Sequence, residues 1–519
     1  MKLRKLWQIG SASILSTSSL LAIGIPAAFA AAPYTCTWIG GNGDFNTAGN
    51  WSNCNNAAPQ SGDGDTLIFD NSSLSAAGSP SDDIPSLSVA AVQFTGSNTT
   101  WGNEIVGSDA LTITGSVSDA TTSSAPSGFT NTIVASGSPT VTTTNPNGTL
   151  FETLQGSGNI AVTGGGTAEF DDLTSYTGTI SSADSIIQLA PAANMTSSGS
   201  VAVSGNATLD LFNEGGGKSA ATYTYTLPIS LGGNGGTKLG TLNLDGAQDS
   251  DVSNVLAGPV TLTSDVDVTA VGSNTLNITG GITYNGHAIS SVGQNVTTIT
   301  IPAGDDQSGQ NATIGSNVTY YVDGKLGATT ISSGGLLKGS GTVGSLTVNS
   351  GGTSSPGHSP GCLTVNGDLN ETGIYQAEIQ SPGQTACTDF DQMVVTGNVN
   401  LTGSSLDLSF LGGYVPSAGQ KFEIINNQGS NPVTGTFAGL AQGATSAVNG
   451  VTYSISYVGG DGNDVVLTVT SVQAAAKAPG TPDTGLAALV AHPATTFVVS
   501  TLSALTLFGI ARRLKVTSA

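Results

Sequence analysis

Short apolar pairs and triplets broken by turn residues run through the chain. The clearest stretch, residues 334–370, reads GGLLKGSGTVGSLTVNSGGTSSPGHSPGCLTVNGDLN. Val343, then Leu346 and Val348, then Leu363 and Val365 are each closed off by a Gly, Asn or Ser. Strands of three to five residues with turn chemistry at such intervals suit a coil that stacks on its neighbour. Elsewhere Val, Ile, Leu and Thr alternate with Ser, Asn and Gly, and no helical period is sustained. The pattern predicts an all-β fold: degenerate solenoid repeats over 71–310, regular repeats over 311–400, and a β cap of longer strands over 401–472. At roughly twenty residues per coil and about 4.8 Å per rung, the body is expected to form a rod on the order of 100 Å long, with polar residues stacked in ladders on its faces.

Several segments resemble the autotransporter-associated β-strand repeat proteins. Residues 335–343 match that family's G-[TS]-L-x-G-x-G-T-V stretch with Leu336 in the Thr/Ser slot, and 356–363 match its P-G-x-S-P-G-x-L. Residues 37–51, with Trp38 and Trp51 around a Gly-rich turn, and the strand at 64–69 are similar to the opening cap, placed here at 31–70. The piece YTGTI at 176–180 resembles the unit repeat, and 459–467 looks like the closing segment. The resemblance implies a right-handed parallel β-helix (β-solenoid) with N- and C-terminal caps. It leaves two roles open for Trp38 and Trp51: packing in a cap, or stacking on sugar rings.

The two ends read as addresses. Lys2, Arg4 and Lys5 precede an apolar run over 14–25 and the small residues Ala28 and Ala30. This predicts a signal peptide over 1–30, cut by signal peptidase between Ala30 and Ala31. Residues 473–484 form an Ala/Pro/Gly/Thr-rich linker, and 485–519 hold an apolar stretch followed by Arg512, Arg513 and Lys515. Pro482, Asp483, Thr484 and Gly485 resemble the motif at which a sortase cuts between Thr and Gly and joins the Thr carboxyl to peptidoglycan. Thr481 stands where that motif carries Leu. A transmembrane helix that is never cut is the alternative. Either way the body is expected at a bacterial cell surface, with an anchor where the repeat family has an outer-membrane barrel.

Charge sharpens the picture. The chain carries −22 overall, and six of its twelve basic residues lie in the signal region and tail, leaving 34 acids against six Lys, or −28, in the body. Such a body repels nucleic acid and anionic lipid. The four cysteines, Cys36, Cys54, Cys362 and Cys387, are an even set in an exported chain and carry no zinc spacing. Two disulfides between sequence neighbours are expected, although spacing alone leaves the connectivity open.

Candidate chemistry is sparse. Residues 459–467 fit one copy of a calcium-binding nonapeptide, with Asp461, Asn463 and Asp464 as oxygen ligands. A single copy supplies half a cage, and a Gly-Asp-Gly-Asn hairpin turn accounts for the same residues. Otherwise no cofactor is expected. Asp171/Asp172, Asp305/Asp306 and Asp389/Asp391 are the acidic clusters a glycosidase would draw on. The body lacks the Arg base of β-helix lyases, and His287 and His358 sit in no Gly-x-Ser-x-Gly context. The reading is therefore a non-enzymatic, adhesin-like or structural envelope protein that meets glycans or neighbouring-cell surfaces. A carbohydrate-active β-helix enzyme and a passive stalk are the alternatives.

Overall fold

The computed structural model describes residues 33–473 apart from 63, 146, 214–220, 234–240, 247–251, 271–273 and 293–296. Ala30, Ala31, the motif at 482–485 and the anchor lie outside the described residues. Contacts divide the chain between Val472 and Gln473.

Among the described residues nearly all regular structure is β, in one sheet of 26 strands and two of nine. The architecture is that of a parallel β-solenoid. Each strand is short because its sequence alternates for only a few residues before a turn residue breaks it. Alternation sends every second side chain inward, as in Thr329–Ile331 and Leu346–Val348, where the outer pair is buried and the middle Thr is not. Like residues then stack rung upon rung. Ile160, Ile180, Val201, Ile229, Val260 and Ile282 form one unbroken file of Cα partners, each at most 3% exposed.

Three such columns flank the interior. The first includes Ile160–Thr163, Thr179–Ser182 and Ser200–Val203. The second includes Thr149–Gly156, Thr167–Asp172, Ile186–Leu189 and Thr208–Asn213. The third begins at Ala221–Tyr225 and runs to Ser405–Phe410. Coil length varies: it is 17 residues at Asn311/Ala328 and 33 at Asp210/Asn243. From Ala312 to Ser354 it is regular. Ala312, Thr329 and Leu346 align, as do Thr319, Leu336 and Thr353, so two columns advance together by 17 residues. The predicted polar ladders are present outside, for example Thr142 to Thr163 at 3.1 Å and Asn370 to Asn400 at 3.3 Å.

Both ends of the stack are closed. At the first rung Trp38, Phe45, Trp51 and Phe69 pack with ring centroids 4.9–6.2 Å apart. The indole N–H groups of Trp38 and Trp51 donate to the carbonyls of Gly41 and Phe45. Trp51 is 5% exposed and Trp38 8%, so these rings are core and offer no face to a sugar. From Phe69 the aromatic file continues inward through Phe94, Phe129, Phe151 and Phe170 at 5.1–5.8 Å steps. At the last rung Lys421–Asn427 pairs antiparallel with Asp464–Val472, which pairs antiparallel with Val451–Gly459. That hairpin covers a parallel edge that would otherwise template another chain.

Cys36 bonds to Cys54 and Cys362 to Cys387, the expected neighbour pairing. The first bridge closes the opening turn of the cap. The second ties a loop after Ile374–Ile379 to the strand Cys362–Val365.

Candidate functional site

Stacking places outward residues from successive coils side by side, so a site on this fold is built across rungs. On the second column Leu150 aligns with Glu169 and Glu169 with Gln188. Asp171 lies across from Glu152, between the Phe151–Phe170 and Thr153–Asp172 pairs. Neighbouring rungs are about 4.8 Å apart, and alternate residues of one strand about 6.6 Å. Glu152, Glu169 and Asp171 thus form a small lattice of acceptors. Residues 190–195 wall one side, held by Thr224 N–H donating to Asn194 Oδ1 at 2.9 Å and by a bridge from Met195 to Tyr225. Tyr223, half-buried, supplies an aromatic face. Together they enclose a groove of 790 Å³, also lined by Asp172, Pro126 and Pro191.

Beyond Gln188 the same file continues through Asp210, Asn243 and Thr269. Asn243 donates to Asp210 at 2.9 Å and accepts from Thr269 at 2.8 Å. Burial pushes the Asp210 carboxyl up to about 7, and the charges of Asp245 and Glu169 act in the same direction.

Of the three acidic clusters, only Asp171/Asp172 reaches this groove. Asp172 also caps its own turn, accepting from Thr174 N–H at 2.8 Å. Asp305 accepts from Gln307. Asp306 pairs with Lys325 at 3.0 Å, and bonds from Ser308 and Lys325 hold its carboxyl down at about 2. Asp389 accepts from the Ser381 hydroxyl and from Thr385 N–H, which lower its carboxyl pKa. Asp391 is buried and accepts from Gly361 and Glu378 N–H at 2.7 and 2.9 Å. These last two pin the loop that carries Cys387.

Asp461, Asn463 and Asp464 sit at the Val451–Gly459/Asp464–Val472 hairpin, where Gly459 pairs with Asp464. Asp464 accepts from Asn427 N–H at 2.8 Å, and Asn463 donates to the Gly429 carbonyl at 2.7 Å. Asn463 and Asp464 thus hold the turn against Asn427 and the loop after it, while the Asp461 N–H donates back to Asp464 Oδ2 at 3.3 Å. His358 bonds Asp323 at 2.7 Å and lies flat on Tyr321, 5.3 Å between centroids. His287 faces Asp265 at 3.5 Å. Among the described residues neither ring bonds a Ser hydroxyl. The one close group of metal-type ligands among the described residues is Cys36, Cys54 and Asp65, and its two sulfurs are spent in a disulfide. Also among the described residues, no helix is long and apolar enough to cross a membrane.

Compared with known proteins, the chain matches no family model and no curated protein.

Proposed function

We propose that this is an exported protein of a bacterial cell surface, a right-handed parallel β-helix that acts by contact as an adhesin-like or structural envelope protein. Signal peptidase would release it at Ala30/Ala31, and a sortase would join Thr484 to peptidoglycan. The observation that carries the contact reading is the groove between the second and third columns. Its carboxylates accept hydrogen bonds from sugar hydroxyls, and the Tyr223 ring offers a face to sugar C–H groups. A net charge of −28 in the body argues against nucleic acid as the partner.

One observation favours a second reading, a carbohydrate-active enzyme. Glu152 and Asp171 stand on adjacent rungs, a spacing of about 4.8 Å, near the ~5 Å of a retaining glycosidase pair.

Glycan- and cell-binding assays on the purified chain separate these. Saturable binding without turnover, lost in Glu152→Gln/Asp171→Asn with the fold intact, supports the adhesin. Release of reducing sugar supports the enzyme. Neither binding nor turnover leaves a passive stalk.

A further inference from the structure

A second constellation lies away from the groove, near the first rungs. Ser81 pairs with Val106, and Glu104 with Gly128, so three successive coils meet here. They bring together Asp82, Asp109 and Asn131. Asp82 and Asn131 are each 1% exposed, whereas Asp109 is half-buried and reaches solvent. Asn131 stands at a register shift between Phe129 and Thr132, and the alternation Phe129, Asn131, Ile133 along its own strand faces its amide inward.

The hydrogen bonds of that amide are poor. Its Nδ2 lies 3.4 Å from Asp82 Oδ2 and 3.3 Å from the Asp109 carbonyl oxygen. Its Oδ1 is buried with no partner. A half-turn of the amide exchanges the two atoms, which differ little in shape. The amide oxygen then faces the Asp82 carboxylate and the Asp109 carbonyl, and three oxygens converge. Without a cation that arrangement is repulsive. Around Ca²⁺ it is regular, because oxygens about 2.4 Å from the ion and at right angles lie about 3.4 Å apart.

We propose that Asp82, Asp109 and Asn131 form a site for a hard divalent cation, Ca²⁺, that clamps three coils together next to the N-terminal cap. The Asp82 carboxylate, the Asp109 carbonyl and the Asn131 amide oxygen are the inner ligands. The Asp109 carboxylate completes charge neutrality from the solvent side, where water fills the remaining positions. Magnesium suits the site less, since it requires a tighter octahedron and sheds water reluctantly. Burial foremost, with Asp109 and Asp83 adding to it, pushes the Asp82 carboxyl up to about 7. A bound cation would relieve that cost.

The test is titration calorimetry and thermal melting of the full chain, stripped with EDTA and then given CaCl₂. An acidic body attracts Ca²⁺ diffusely, so the variants decide. Wild type should show a saturable event and a higher melting temperature with Ca²⁺. Asp82→Asn should weaken that event by about tenfold or more. Asn131→Asp supplies only oxygens, so it should melt lower than wild type in EDTA and show the larger rise with Ca²⁺. If circular dichroism shows Asp82→Asn unfolded, Asp109→Asn replaces it, since that side chain is half exposed, and its affinity should fall in the same direction. A Ca²⁺ response identical to wild type in Asn131→Asp and in the folded Asp variant overturns the proposal.

Discussion

Ser354 Oγ donates a 2.7 Å hydrogen bond to Glu371 Oε2 inside the coil, where both residues are fully buried. The other carboxyl oxygen of Glu371 has no hydrogen-bond partner. Burial pushes this acid from 4.5 up to about 8, against the opposing bond from Ser354. Between those values the folded chain keeps a proton that the unfolded chain has lost. Stability contributed here is therefore present below about pH 4.5 and is lost as pH rises through 8. Asp210 acts in the same direction up to about 7. Thermal melts should fall from pH 5 to pH 8, and Glu371→Gln should narrow that difference. A melting temperature that rises over this range would contradict the assignment.

The aromatic file predicts a polarised core. Phe129 is fully buried, with Phe94 at 5.4 Å and Phe151 at 5.2 Å. Phe129→Ala should cost about 3–5 kcal/mol in denaturant melts, through lost burial and the cavity left behind. Trp101, 37% exposed, should cost well below half of that when changed to Ala.

Reduction should act at both ends. Mass mapping of the purified protein should recover Cys36–Cys54 and Cys362–Cys387 peptides and no free thiol. Cys36→Ser/Cys54→Ser should lower stability by about 3 kcal/mol, from the loop entropy restored to the unfolded chain. A Cys36–Cys362 peptide would be incompatible with the stack.

Attachment has its own test. If a sortase handles the tail, mature protein ends at Thr484 and is recovered covalently bound to wall fragments. Proline disfavours helix at the residue before it, which suits the extended substrate a transpeptidase would require. Thr484→Ala should then leave a detergent-extractable protein that retains Arg512. Wild type that is itself fully extractable and retains Arg512 would make the tail a plain membrane anchor.

The fold was legible where coil length is constant. Around Val343, Leu346 and Val348 the alternation, the turn residues and the 17-residue advance agree, so inward positions can be read directly. The groove was not legible, although Asp171 and Asp172 stood out as an acidic pair. Glu152 faces Asp171 only because that coil happens to be 19 residues long, and Tyr223 arrives from the third column across a coil of another length. Irregular coils hide which outward residues become neighbours. Asn131 faces inward by plain alternation with Phe129 and Ile133, but its meeting with Asp82 and Asp109 was hidden for a related reason, since these come from other coils of unequal length.

The shared 17-residue advance between Ala312 and Ser354 has a consequence for how such a chain changes length. Removing or duplicating one whole coil there returns each strand to a partner of the same facing, with turn residues again at the corners. Adding a single residue would instead move one corner out of line with the coils on either side. Span along the stack is thereby quantised, and a lineage could lengthen or shorten it by copying or dropping rungs while the bridged cap, the groove and the closing hairpin stay as they are.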